Sequence, residues 1–132
     1  MGGHGAMWLS IRHKDVFGAA GSTSGGLDIR PFPDKWKMKE QLGDRDSNLE
    51  TWNNYTVINQ LDKLQNGELA IIIDCGNKDF FYGVNKAVHE RLLQQKVDHD
   101  FIIRPGSHNW GYWKNSIDYQ ILFFKKFFEK QP

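Results

Sequence analysis

Leu69-Ala-Ile-Ile-Ile-Asp74, continuing into Cys75-Gly-Asn-Lys-Asp79, is the stretch that decides the fold. An unbroken, β-branched apolar run of this length predicts a strand buried on both faces, which is a feature of parallel sheets covered by helices. Downstream, Tyr82 to Val97 carries Val84, Ala87, Val88, Leu92 and Val97 at near-helical spacing among charged residues. Phe101 to Ile103 then reads as a second short strand ended by Arg104-Pro105-Gly106, and Ser116 to Glu129 as a last helix with Ile117, Ile121, Phe124 and Phe128 on one apolar stripe. Upstream, Gly2 to Lys14 predicts a helix and Val16 to Thr23 a strand running into a turn at Gly25 and Gly26. Arg30 to Gly67 is polar, opened by Pro31 and Pro33, with spaced anchors such as Trp36, Trp52 and Leu61. It reads as an excursion above the sheet containing short helices. Alternating strands and helices imply an α/β fold with about three parallel strands and right-handed crossovers. Three strands are few for helices this apolar, and the first helix calls for a strand before it.

The composition, 132 residues with 39% apolar and 14% aromatic side chains, suits one globular unit. Seventeen basic and sixteen acidic residues leave a formal charge of +1, so nothing marks the chain for nucleic acid or an anionic membrane surface. No apolar run reaches the length of a membrane span, and Met1 to Leu9 lacks the pattern of a signal peptide. At face value the chain is cytoplasmic, although a parent protein could be exported by a preceding signal. Cys75 is the one cysteine, which excludes an internal disulfide. His4, His13, His89, His99 and His108 show no metal-ligand spacing, so neither metal nor cofactor is expected.

Ligands of open parallel sheets gather beyond the carboxyl ends of the strands. Two loops fall there: Asp74-Cys-Gly-Asn-Lys-Asp79 after the isoleucine run, and Pro105-Gly-Ser-His-Asn-Trp110 after Phe101 to Ile103. Alone, an Asp in such a loop is an ordinary turn former or helix cap, and a His beside tryptophans an ordinary packing residue. Together, on adjacent strand ends and in the order acid then histidine, they can form a base and its orienter. Hydrolases of this architecture run Ser, Asp, His along the chain, which would put the third member upstream.

The residues resemble the esterase family of α/β-hydrolases that includes S-formylglutathione hydrolase, tributyrin esterases, feruloyl esterases and mycolyltransferases. Met1-Gly-Gly-His-Gly-Ala6 looks like the continuation of that family's Gly-x-Ser-Met-Gly-Gly elbow, whose serine would stand just before Met1. Asp74-Cys-Gly-Asn-Lys-Asp79 is similar to its Asp-x-Gly-x-x-Asp loop, and Gly106-Ser-His-Asn-Trp110 to its Gly-x-His-x-Trp pattern. Leu42-Gly-Asp44 and Val57-Ile-Asn59 also look like the family's intervening segment, so the likeness covers nearly the whole chain.

The resemblance implies a C-terminal portion of one α/β-hydrolase domain spanning residues 1–132, without the upstream strands or the serine. It assigns Asp79 as the triad acid and His108 as the base, gives the Met1 backbone N–H one oxyanion contact, and offers Trp110 a place beside the substrate. The implied reaction is hydrolysis of a small-molecule carboxylic ester, with this chain inactive alone. Two rivals stand beside it. In one, the chain is non-catalytic and acts through association, with an uncovered sheet edge and apolar surface making it a homo-oligomer. In the other, Cys75 is a thiol nucleophile served by His108.

Overall fold

The computed structural model describes residues 1–130. Helix α1 (Gly2–Arg12) leads to strand β1 (Ala19–Thr23). The excursion follows, with α2 (Met38–Leu42), α3 (Leu49–Asn54) and a 3-10 helix (Val57–Lys63). Strand β2 (Ala70–Gly76), α4 (Tyr82–Gln94), β3 (Asp100–Arg104) and α5 (Trp110–Glu129) complete the chain. The strands form one parallel sheet in the order β1-β2-β3, with Ile73 of β2 level with Ser22 and Phe101 on its two sides.

The isoleucine run behaves as its composition demands. Ile71, Ile72 and Ile73 are at most 1% exposed, because both faces of β2 are covered. On one face Ile71 and Ile73 meet Met7 and Ile11 of α1, Leu61 of the 3-10 helix, and Val88 and Leu92 of α4. On the other face α5 crosses β1 and β2. A satellite cluster of Ile29, Met38 and Trp52, flanked by Phe32 and Leu42, holds the excursion together.

Several boundaries and one face differ from the sequence reading, the smallest shifts being the end of α1 at Arg12 rather than Lys14 and one residue at each end of β3. β1 begins at Ala19 rather than Val16, because Val16 and Phe17 turn back to bond the His13 carbonyl and leave Val16 exposed. α4 stops at Gln94, short of Val97. α5 begins six residues early, at Trp110, because the Asn109 side chain accepts the Tyr112 N–H and caps it. Its buried line is Tyr112, Ser116 and Gln120, while Ile117, Ile121 and Phe128 face outward at 52–68% exposure. Polar partners set that rotation: Tyr112 and Ser116 reach groups at the sheet end, and Gln120 bonds the Ser22 carbonyl. The unpaired side of β1 and the outer face of α5 are where apolar surface meets water.

Candidate active site

The loops after β2 and β3 are stitched to each other by their backbones. Asn77 N–H donates to the Arg104 carbonyl at 3.0 Å, and Lys78 N–H to the Gly106 carbonyl at 2.8 Å. This approach requires Gly76, where a Cβ would run into the Gly106 carbonyl. It also requires Gly106, whose φ of +150° disfavours any side chain and whose Cβ would strike Tyr112.

The stitch brings Asp79 and His108 together. His108 Nδ1–H donates to Asp79 Oδ2 at 2.9 Å, and Asp79 Oδ1 accepts the Phe81 N–H at 2.8 Å. The Asp79 carboxylate is wholly buried, and the His108 side chain is 18% exposed. Asp79 thus does both things an aspartate can do here, organising the turn into α4 and orienting the imidazole. Nδ1 is taken by Asp79, so Nε2 is the ring atom left to work; it has no hydrogen-bond partner among the described residues.

Asp74 has a different task. Buried at the end of β2, it accepts from Tyr112 Oη–H and from Arg104 Nη2 at 2.7 Å, while the same Nη2 reaches Ser116 Oγ at 2.7 Å. Arg104 also lies over the Tyr112 ring, 4.2 Å from its centre. Burial and the Asp74 charge push the Tyr112 hydroxyl well above the ordinary phenol range, so it stays a donor. The cluster anchors the start of α5, and with it the histidine loop, to β2. Asp79 rather than Asp74 therefore faces His108.

A cleft of about 720 Å³ opens at His108, bounded by Met1, Gly2 and Gly3 at the start of α1, by Ser24, and by Trp110 and Trp113. The free N–H groups and the dipole of an eleven-residue helix point toward this space. Ser24, at φ +52° after β1, accepts the Trp113 indole N–H at 3.0 Å, and Trp113 sets its edge against the His108 ring. Trp110 is 76% exposed on the rim. Tyr112, between the two tryptophans in sequence, is buried structure instead.

The opposite wall was not legible in the sequence. Phe80 packs 4.6 Å from the His108 ring and Trp36 lies 6.1 Å from it, with Lys35 over Phe80. Trp36 and Lys37 both hold left-handed backbone, φ +51° and +55°. For bulky residues that strain costs on the order of 1–3 kcal/mol each, and it persists where surrounding contacts over-determine it. Trp36 has such contacts, stacking on Phe81 at 5.2 Å.

Cys75 is fully buried, and burial first, then the Asp79 and Asp74 charges, pushes its thiol up to about 12. That corrects the thiol reading: a protonated sulfur out of reach of solvent is no nucleophile at neutral pH. Among the described residues no group of three or more His, Cys, Asp or Glu side chains could hold a metal, and no helix is long and apolar enough to cross a membrane.

The family model described as "Putative esterase" matches residues 1–124. The chain belongs to that esterase family. Its fold is that of solved α/β-hydrolases. A ferulic acid esterase is 28% identical with a TM-score of 0.70, covering 94% of this chain and 47% of its own. The S-formylglutathione hydrolase FrmB of Staphylococcus aureus is 22% identical with a TM-score of 0.74, over 93% and 50%. The fluorophosphonate-binding serine hydrolase FphF of Staphylococcus aureus is 23% identical with a TM-score of 0.76, over 92% and 50%. The chain thus spans about half the length of these esterase-fold relatives. No curated protein matches it.

Proposed function

We propose that this chain is the acid-and-base half of a serine carboxylesterase, the C-terminal portion of one α/β-hydrolase domain whose nucleophilic serine comes from the preceding half. The observation that carries the reading is the Asp79–His108 hydrogen bond, with Nε2 left toward the cleft at the start of α1. No serine hydroxyl bonds His108 among the described residues, and the relatives are about twice as long.

In the whole enzyme the serine hydroxyl attacks the ester carbonyl as His108 Nε2 takes its proton. The proton then passes to the departing alcohol, and a water repeats the cycle on the acyl-serine. Asp79 holds the Nδ1–H tautomer and stabilises the imidazolium. The Met1 backbone N–H, at the head of α1, is one donor to the oxyanion. Trp110 flanks the substrate on the rim. The partner is a small-molecule ester, and the residues call for no cofactor.

The test compares p-nitrophenyl acetate hydrolysis by two polypeptides. The 132-residue chain should turn over no faster than its His108→Ala variant. A polypeptide extended upstream through a Gly-x-Ser segment should gain activity, and His108→Ala should remove roughly 10³-fold or more of it. An extended polypeptide inert on a broad ester panel would overturn the esterase reading.

A second reading is favoured by one observation, the outward apolar line Ile117, Ile121 and Phe128 beside the unpaired edge of β1. In it the chain is non-catalytic and works only by associating with another chain, as a homo-oligomer. Light scattering separates the two: a dimer that becomes monomeric in Ile121→Lys supports it, and a wild-type monomer with a cooperative melt removes it.

A further inference from the structure

His89 lies on α4 and His99 immediately before β3, at the opposite end of that strand from His108. Their separation in the chain matches no metal-ligand spacing, and it is the packing of α4 on the sheet that brings the two rings together. His89 Nδ1 and His99 Nε2 stand 2.7 Å apart, with one proton between them.

Each ring is fixed by a contact outside the pair. His99 Nδ1–H donates to the Val97 carbonyl at 2.8 Å, which selects the tautomer whose Nε2 lone pair faces His89. The His89 ring lies flat on Phe101, with 4.1 Å between ring centres and 10° between planes, and this sets the direction of its Nδ1. A backbone carbonyl that takes one ring N–H, so that the other nitrogen presents its lone pair, is what orients imidazole ligands at metal centres. Two nitrogens bound tetrahedrally to zinc, each at roughly 2.0–2.1 Å, lie about 3.3 Å apart, so the pair has to open by only about 0.6 Å to hold an ion. Both rings are half-buried, which lets an ion and its waters in, and the Glu90 carboxylate adds negative charge beside His89. No third His, Cys, Asp or Glu joins the pair among the described residues, so water completes the coordination.

We infer that His89 and His99 form a two-histidine site for a divalent transition ion of the zinc class, which ties α4 to the start of β3. Imidazole nitrogen favours such ions over Mg²⁺ and Ca²⁺, which take oxygen ligands. Binding moves the His89 proton from Nδ1 to Nε2, so that both facing nitrogens donate lone pairs and no net proton is released. An ion here binds the folded chain alone, because unfolding parts the two rings, and it therefore acts as a staple. The site stands independently of the esterase reading, since it lies at the far end of β3 from His108.

The experiment titrates ZnCl₂ into the whole chain, first treated with EDTA and exchanged into chelator-free buffer, while the imidazole ¹⁵N resonances are followed. His89 Nδ1 and His99 Nε2 should shift together and saturate at one ion per chain, with the His108 nitrogens unmoved. Calorimetry should find zinc affinity lowered at least tenfold in His99→Gln and in His89→Gln, the latter keeping a donor to His99 but no ring nitrogen. At a hundredfold excess over Kd, zinc should raise the wild-type melting temperature by roughly 10 °C and leave that of His89→Gln nearly unchanged. Mg²⁺ should do neither. Should His99→Gln disturb the fold by losing the Val97 bond, His89→Gln decides alone. Zinc held equally well by folded His89→Gln, a shift confined to His108, Mg²⁺ matching zinc, or no saturation below millimolar zinc would overturn the inference.

Discussion

At the carboxyl end of the sheet Asp74 and Asp79 bury their carboxylates completely, whereas at the amino end Lys14 and Glu68 keep 26% and 37% of their side chains in water. The His89–His99 pair beside the start of β3 is likewise only part-buried. A buried carboxylate persists only when donors surround it, so each donor at the carboxyl end is indispensable to the others. An exposed ion pair exchanges its partner for water at little cost. One end of the molecule is therefore rigid by necessity and the other tolerant, and the rigid end is the one that holds Asp79 against His108.

The sharpest way to break this contrast is Asp74→Ala. It strands the Arg104 guanidinium, whose Nε already lacks a partner, and leaves the Tyr112 hydroxyl without its acceptor. Loss of one side of a buried pair predicts about 3–5 kcal/mol of destabilisation. Urea denaturation measures it, with Lys14→Ala as the reference at the other end. If both variants lose equally little, the two ends are not built differently.

Gly76→Ala comes next. Its methyl group must push back the Gly106 carbonyl, parting the two loops, at a cost of about 1–3 kcal/mol. A folded Gly76→Ala should also lose the downfield Nδ1 proton resonance of His108, since that bond depends on the stitch. Retention of the resonance would mean that Asp79 and His108 are held by something other than loop contact. A smaller effect is expected from Asn109→Ala, about 1 kcal/mol for a lost N-cap, with α5 fraying at the end that carries the histidine loop. Amide exchange at Tyr112 and Trp113 is the measurement, and unchanged protection there would show that the Asp74 cluster alone secures the helix.

How much of this was legible in the sequence divides along the same line. The isoleucine run and the two loops that follow strands are local signals, and they pointed to β2, to the acidic loop and to His108, whereas the choice of Asp79 over Asp74 came from the family resemblance. The outer face of α5 was misread because Tyr112, Ser116 and Gln120 take buried partners 38, 12 and 98 residues away, and no helical period registers such bonds. Asn109 before Trp110 was a local cap signal that reading the apolar stripe passed over. Trp36 was legible as an anchor of the excursion, but neither it nor Phe80 signalled a place beside His108. Their nearness to His108 depends on how a proline-opened excursion folds back over the sheet, and on a left-handed turn at two ordinary residues.

The amino end yields the smallest effect and sharpens the comparison from its tolerant side. His99 Nδ1–H donates to the Val97 carbonyl at 2.8 Å, so His99 Nε2 accepts from His89 Nδ1–H at 2.7 Å, and the His89 ring lies flat on Phe101. Burial, then the neighbouring His99, lowers the basicity of His89 below its ordinary value of 6.5. The folded state thus binds a proton on His89 less readily than the unfolded chain does. The stability this represents is fully present above about pH 6.5 and is lost as the pH falls from there through the lower folded value. His4, also lowered by burial, acts in the same direction, so the His89 share has to be read as a difference. His89→Gln keeps a donor to His99 but cannot titrate, and its melting temperature should fall less than the wild type's between pH 7 and pH 5. Solvent reaches much of the ring, which holds the difference to on the order of a few tenths of a kcal/mol. A drop as large as that of Asp74→Ala would place a tightly coupled charge at the amino end as well, and the contrast between the two ends would be gone.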